Sequence, residues 1–167
     1  LDQPPPPTPT PRPQPTAQPT AAAAPKPASP ASVAPPARQP APRSAGKSIL
    51  VNLTRQWLYA YEDGVQVFSA PVSTGRDGME TPTGNFAIYS KTPLQTMDGV
   101  LDGKYWIVPN VPNVMYINGG VALHGTYWHN LFGTGARPSH GCVNLPLNSA
   151  AWLYGWAPVG TPVRVTY

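Results

Sequence analysis

The chain has 167 residues, 25 of them proline, and a formal net charge of +4. No run approaches the ~20 consecutive apolar residues that a membrane-spanning helix needs. The basic residues form neither a dense cluster nor a recognisable reader motif, so no nucleic-acid partner is expected.

Residues 1–46 contain 16 of the 25 prolines and no aromatic residue. Such a segment cannot bury enough apolar surface to offset its ordering entropy, and it reads as a disordered Pro/Ala/Thr-rich linker with polyproline-II stretches. At ~3.1 Å per residue it would reach on the order of 140 Å. Its charge balance is +3 against +1 for the rest. A basic spacer lying along an anionic polymer and a solvated linker without a partner both remain open. The chain opens on Leu1-Asp2-Gln3-Pro4, without the basic and apolar regions of a signal peptide. The expectation is that an export signal or anchor preceded it, and membrane anchoring enters only through such a missing N-terminal segment.

Residues 47–167 are long enough for one compact domain. Ser48 to Leu53 and Gln56 to Tyr61 read as strands. Glu62-Asp63-Gly64 supplies hairpin chemistry before a third strand over Val65 to Val72. Thr81-Pro82-Thr83-Gly84 marks a turn leading into a strand over Asn85 to Ser90. Tyr105 to Val108 and Val114 to Ile117 read as two further strands, with Pro109 and Pro112 as turns or edges between them. Val121-Ala122-Leu123 would deliver His124 at a strand end. One helix is expected after residue 145, with Pro146 in its first turn and Leu147, Ala150, Ala151 and Tyr154 on one face. Gly155 and Pro158 limit it, and the Trp152/Trp156 pair reads as core packing. The fold class is mainly β, a β-sandwich or barrel-like sheet with one short helix.

The only cysteine, Cys142, lies in Ser139-His140-Gly141-Cys142-Val143-Asn144, eighteen residues after His124 in Leu123-His124-Gly125-Thr126. It cannot form an intramolecular disulfide. A lone cysteine is commonly a small buried hydrophobe, but Ser139, His140 and Gly141 are poor core fillers. A thiol with two imidazoles close in sequence is the arrangement that nucleophilic sulfur chemistry uses. Gly141 permits a tight path that can aim backbone N–H groups at one point. From the residues alone either histidine qualifies as the base; an extended segment would put His140 and Cys142 on one face. His124, His129, His140 and Cys142 also contain zinc-ligand types, but their spacing lacks C-x-x-C or H-x-x-x-H patterns, and no metal or other cofactor is expected.

The segment from His124 to Asn144 resembles the active-site signature of the L,D-transpeptidases, the YkuD-type catalytic domain of bacterial cell-wall enzymes. Pro71-Val72-Ser73-Thr74-Gly75, Thr81-Pro82-Thr83-Gly84-Asn85-Phe86 and Gly160-Thr161-Pro162-Val163-Arg164-Val165 resemble other stretches of that family. The resemblance covers roughly residues 47–167 and implies a β-rich fold. Asn144 stands where many members carry Arg.

The resemblance implies an exported cell-envelope enzyme acting on peptidoglycan stem peptides through a Cys142 thioester and forming 3→3 cross-links. It makes His124 the base, oriented by the Gly125 carbonyl, with Gly141, Cys142 and His140 on the oxyanion side. An L,D-carboxypeptidase using the same site and an idle wall-binding module are the alternatives. The chain is expected to act as a monomer. Ser139 fits substrate contact or a turn, Asn144 a loop brace or a stem-peptide contact, and Arg137 a stem-carboxylate contact or a solvated surface. Met97 through Gly120 occupies the place of the family's lid, where Tyr105, Trp106, Met115 and Tyr116 would line a groove unless they pack as core. His129 is expected on a loop surface.

Overall fold

The computed structural model describes residues 46–101 and 103–167. The linker expected over 1–46 therefore lies, up to position 45, outside the described residues. The described chain runs β1 (Lys47–Asn52), β2 (Trp57–Glu62), β3 (Val65–Pro71), β4 (Gly84–Ala87), β5 (Ser90–Leu101), β6 (Lys104–Asn118), β7 (Val121–Gly125), β8 (Val143–Leu145), α1 (Leu147–Trp156) and β9 (Pro162–Thr166).

These strands form two sheets, ordered β3-β2-β1-β9-β4 and β5-β6-β7-β8. Period-two alternation sends Ile49, Val51, Leu58, Ala60, Val163 and Val165 from the first sheet into a core. There they meet Met115, Ile117, Leu123, Val143 and Leu145 from the second sheet, with Ala150 and Leu153 from α1. The other face of the first sheet carries a separate buried cluster of Leu50, Trp57, Tyr59 and Tyr61. The expected β-sandwich with one short helix is the observed architecture.

The first hairpin follows its turn residues. Glu62 pairs with Val65, and Asp63 and Gly64 both adopt positive φ, at 50° and 78°. The strand expected over Asn85 to Ser90 is instead divided. β4 pairs with β9, and the chain then changes sheets: Ile88 N–H bonds Thr161 O at 3.0 Å, while Tyr89 N–H bonds Tyr116 O at 2.9 Å.

The largest departure is the β5–β6 hairpin. Two short strands separated by prolines were the expectation; β6 is continuous over fifteen residues. Pro109 and Asn110 sit where the register shifts between Gln95 and Met97, and Asn110 has φ 54°. The bulge removes the need for a ladder N–H at Pro109. The hairpin closes at Leu101↔Lys104, with Gly103 at φ 73°.

Helix α1 packs against β6 and β7. Its phase differs from the expectation: Ala150 and Leu153 are buried, whereas Leu147 is 45% exposed. Pro146 is the N-cap, one position before the first turn, and its carbonyl accepts the Ala150 N–H at 2.9 Å. Trp152 stacks on Phe68 and Trp156 at centroid distances of 4.1 and 5.5 Å, yet stays 37% exposed. The expected core packing holds for Trp156, which is partly buried against the main core, while Trp152 stacks on it at the surface.

Candidate active site

Strands β7 and β8 run parallel, with Leu123 opposite Val143, His124 opposite Asn144 and Gly125 opposite Leu145. Leu123, Val143 and Leu145 point into the core. Alternation then turns His124 and Asn144 to the other face, together with Ala122 and Cys142. On that face His124, His140, Cys142, Asn144 and Ser139 line one pocket with Trp106, Met97, Val108, Trp128 and Pro138.

Cys142 is half-buried. Its Sγ accepts the Ala122 N–H at 3.4 Å and donates to Gly120 O at 3.7 Å. Burial pushes its pKa up, with the Ala122 N–H partly opposing. Burial thus works against the thiolate, so activating the sulfur falls to a neighbouring base.

His124 is almost fully buried, and burial pulls its pKa down to about 4. Its Nδ1 lies 3.1 Å from Gly125 O. A carbonyl only accepts, so Nδ1 carries the proton and Nε2 carries the lone pair. The neighbouring carbonyl, which itself favours the protonated ring, fixes this tautomer without introducing a carboxylate.

The catalytic-type loop is held from within. Ser139 Oγ donates to Cys142 O at 2.6 Å and accepts the Gly141 N–H at 3.1 Å. Ser139 thus braces the loop, and the Gly141 N–H already has a protein acceptor. Gly141 adopts φ 113°, and a Cβ there would meet only ordinary contacts, the nearest at 3.7 Å. Glycine is required for the backbone conformation, not for space.

His140 tilts against Trp106 at a centroid distance of 4.7 Å. Burial, with a smaller contribution from Arg76, lowers its pKa. On the hairpin, Met97 and Trp106 turn toward the pocket while Tyr105 and Ile107 point outward, 63% and 56% exposed. A Cβ at Gly99 would lie 3.0 Å from Trp106 Nε1, so this glycine gives the indole its seat.

Other expected site residues lie elsewhere. Met115 is fully buried core. Tyr105 donates to Asp98 on the outer face of the hairpin at 2.8 Å. Tyr116 is not a lining residue of the Cys142 pocket but stays close to the site. It pairs with Ala122, packs with Cys142 against Val111 and Val114, and its pKa is raised by burial and by the nearby Cys142. Arg137 pairs with Asp77 and lines a separate pocket with Gln56, Thr74, Glu80 and Thr81. Among the described residues no group of three His, Cys, Asp or Glu side chains is placed to hold a metal.

His129 is not the plain surface residue expected. It is half-buried, with Nε2 3.0 Å from Asn144 Nδ2 and 3.5 Å from Ser73 Oγ, and Nδ1 3.2 Å from the Leu131 N. Sequence spacing gave no sign of this, because Ser73 comes from a bridge with Asn144 far along the chain.

Residues 46–165 match the family profile of the L,D-transpeptidase catalytic domain, YkuD. Probable L,D-transpeptidase YbiS of Escherichia coli is 30% identical over 74% of this chain and 45% of its own length. L,D-transpeptidase 1 of Mycobacterium tuberculosis is 30% identical over 62% of this chain and 43% of its own length. The chain therefore spans a little under half the length of these relatives. Among solved structures, an L,D-transpeptidase from Mycobacterium smegmatis superposes with a TM-score of 0.68 at 29% identity, covering 74% of this chain and 59% of that one. The C442S mutant of the Enterococcus faecium L,D-transpeptidase gives a TM-score of 0.67 at 30% identity, covering 72% and 49%. A two-sheet domain with His124, His140 and Cys142 around one pocket, matched over residues 46–165, belongs to the L,D-transpeptidase catalytic-domain family.

Proposed function

We propose that residues 47–167 form an L,D-transpeptidase domain that builds 3→3 cross-links in peptidoglycan. The donor is a stem tetrapeptide ending in a diamino acid–D-alanine bond. Cys142 Sγ attacks the carbonyl of that bond while His124 Nε2 takes the thiol proton. The tetrahedral intermediate collapses by breaking the C–N bond, and the proton passes from His124 to the departing D-alanine amine. The side-chain amine of a second stem peptide then attacks the thioester, its proton passes to His124, and the thiol is released protonated. The cycle needs no metal or cofactor.

The observation that most supports this reading is the tautomer of His124. Its Nδ1–H donates to Gly125 O, which leaves Nε2 as a neutral base on the face that also carries Cys142. An imidazole with its lone pair on Nε2, lining the same pocket as the thiol, suits removal of the thiol proton in step with attack. With the Gly141 N–H engaged by Ser139, the Cys142 N–H and the His140 side are the remaining candidates to hold the oxyanion, worth ~3 kcal/mol of barrier per donor. Trp106 and Asn144 are assigned to the donor peptide, on the strength of their place in the same pocket wall. The substrate sets an extracytoplasmic, envelope location, with residues 1–46 as a tether and the chain acting as a monomer.

A solved relative, L,D-transpeptidase LdtMt1, is described in complex with imipenem. Mass spectrometry after exposure to a carbapenem is accordingly the first test. The wild-type chain should gain one covalent adduct that Cys142→Ala lacks; no adduct in the wild type removes the acyl-enzyme reading. Incubation with disaccharide tetrapeptide should then give dimers. D-alanine release without dimers assigns L,D-carboxypeptidase activity instead, and no turnover leaves a wall-binding module.

A further inference from the structure

Ser73 and Asn144 form an isolated antiparallel bridge, with Ser73 N–H to Asn144 O at 3.1 Å and Asn144 N–H to Ser73 O at 2.8 Å. Both side chains reach Nε2 of His129. The ring's other nitrogen settles its tautomer. The Leu131 backbone N–H points at Nδ1 from 3.2 Å, and a backbone N–H always carries its proton. Nδ1 is therefore the acceptor, and in the neutral ring Nε2 must be the N–H.

An Asn144 NH2 group facing Nε2 at 3.0 Å would set two donors against each other. In that same orientation the buried Oδ1 has no partner among the described residues. A half-turn of the amide exchanges nitrogen and oxygen with almost no change in shape. It removes the clash of donors, because Oδ1 then accepts from His129 Nε2–H, and it places the NH2 group at the buried position that has no protein partner among the described residues. Asn144 is 2% exposed and lines the pocket beside His124 and Cys142, so the unpartnered NH2 is a buried donor awaiting an acceptor.

We infer that His129 is a positioning residue that locks the Asn144 amide with its oxygen inward, presenting the NH2 group to a carbonyl or carboxylate oxygen of the acyl-donor peptide. This rests on the proposed transpeptidase reading for its ligand, but not for the amide orientation. His129 itself touches no reacting atom. Its ring also packs against Phe132 at 5.0 Å, so a bulk effect must be separated from the hydrogen bond.

The test compares the full chain with His129→Phe, which keeps a ring without a donor, and His129→Gln, which restores an N–H donor. Long-range 1H–15N NMR of the wild type at neutral pH should show His129 protonated on Nε2; a proton on Nδ1 overturns the inference whatever the enzyme does. Acylation by disaccharide tetrapeptide should fall about tenfold in His129→Phe, the loss of one neutral hydrogen bond, and recover most of that in His129→Gln. Alkylation of Cys142 by iodoacetamide, which has no use for Asn144, should be equal in all three. Equal impairment of both variants makes the role one of packing and overturns the inference. If the wild type is not acylated at all, the transpeptidase reading falls. Nuclear Overhauser contacts of the Asn144 NH2 then decide the amide orientation: proximity to the His129 ring overturns it, and proximity to the His124 ring upholds it.

Discussion

Thr81 Oγ1 donates to the carbonyl oxygen of Gly141 at 2.8 Å and accepts the Gly75 N–H at 3.0 Å. One hydroxyl thus ties the Thr81-Pro82-Thr83-Gly84 turn, the stretch after β3 and the cysteine loop, and it is buried at 2% exposure. Thr81→Val keeps the shape but orphans both backbone groups, a cost of about 1–3 kcal/mol each where they stay dry. Its unfolding midpoint in urea should drop clearly, and Cys142 alkylation should change rate because the loop loses its brace. Thr81→Ser retains the hydroxyl and should recover most of both.

Some of this arrangement is readable before folding, and some is not. The Asp63-Gly64 hairpin and the strand carrying His124 are local: alternation and two turn residues specify them. The β5–β6 hairpin is hidden because Pro93, Pro109, Pro112 and Gly99 read as punctuation. In the fold Pro109 sits at a bulge, and Gly99 makes room for Trp106. Gly103, at φ 73° beside the closing Leu101↔Lys104 pair, is the turn residue of that hairpin. Likewise the motif and its upstream histidine mark a pocket, but the His129–Asn144–Ser73 cluster depends on a bridge between residues 73 and 144, which no local pattern encodes.

The depressed pKa of His124 has a consequence for stability. The ring titrates at about 4 when folded against an ordinary 6.5. The unfolded chain therefore takes up the proton first as pH falls. The contribution is intact above pH 6.5 and is lost as pH drops from 6.5 towards 4, by about 3 kcal/mol in all. His129 and His140 are shifted in the same direction by burial, so the variant comparison isolates His124. Urea unfolding of His124→Gln should show a shallower loss between pH 7 and pH 4 than the wild type; identical slopes would exclude a buried neutral His124.

Gly141 makes a conformational demand that can be measured apart from sterics. With φ at 113° and nothing closer than 3.7 Å to a new Cβ, Gly141→Ala should cost about 1–3 kcal/mol through the backbone alone. Gly75 is the contrasting case, because its Cβ would lie 2.1 Å from Met79 O and the backbone must move. Urea unfolding should rank Gly75→Ala well below Gly141→Ala. The second variant, still folded, should lose carbapenem adduct formation because the strained turn immediately precedes the sulfur.

Trp106 joins the hairpin to the pocket through a contact with His140 at 4.7 Å, and Gly99 lies across the strand pair beneath its indole. A methyl group at Gly99 would sit 3.0–3.1 Å from three atoms of that ring, closer than van der Waals contact allows. The ring is half-buried at the pocket edge, so it can yield by shifting rather than by unfolding the strands. Gly99→Ala should therefore leave the unfolding midpoint nearly unchanged while altering tryptophan fluorescence, which His140→Phe should also perturb. If Trp106 closes over the acyl donor, the variant should raise KM for the tetrapeptide several-fold with little change in Cys142 alkylation. A Gly99→Ala enzyme with unaltered KM would mean that the hairpin face bearing Met97, Trp106 and Val108 shields the site without reading its substrate.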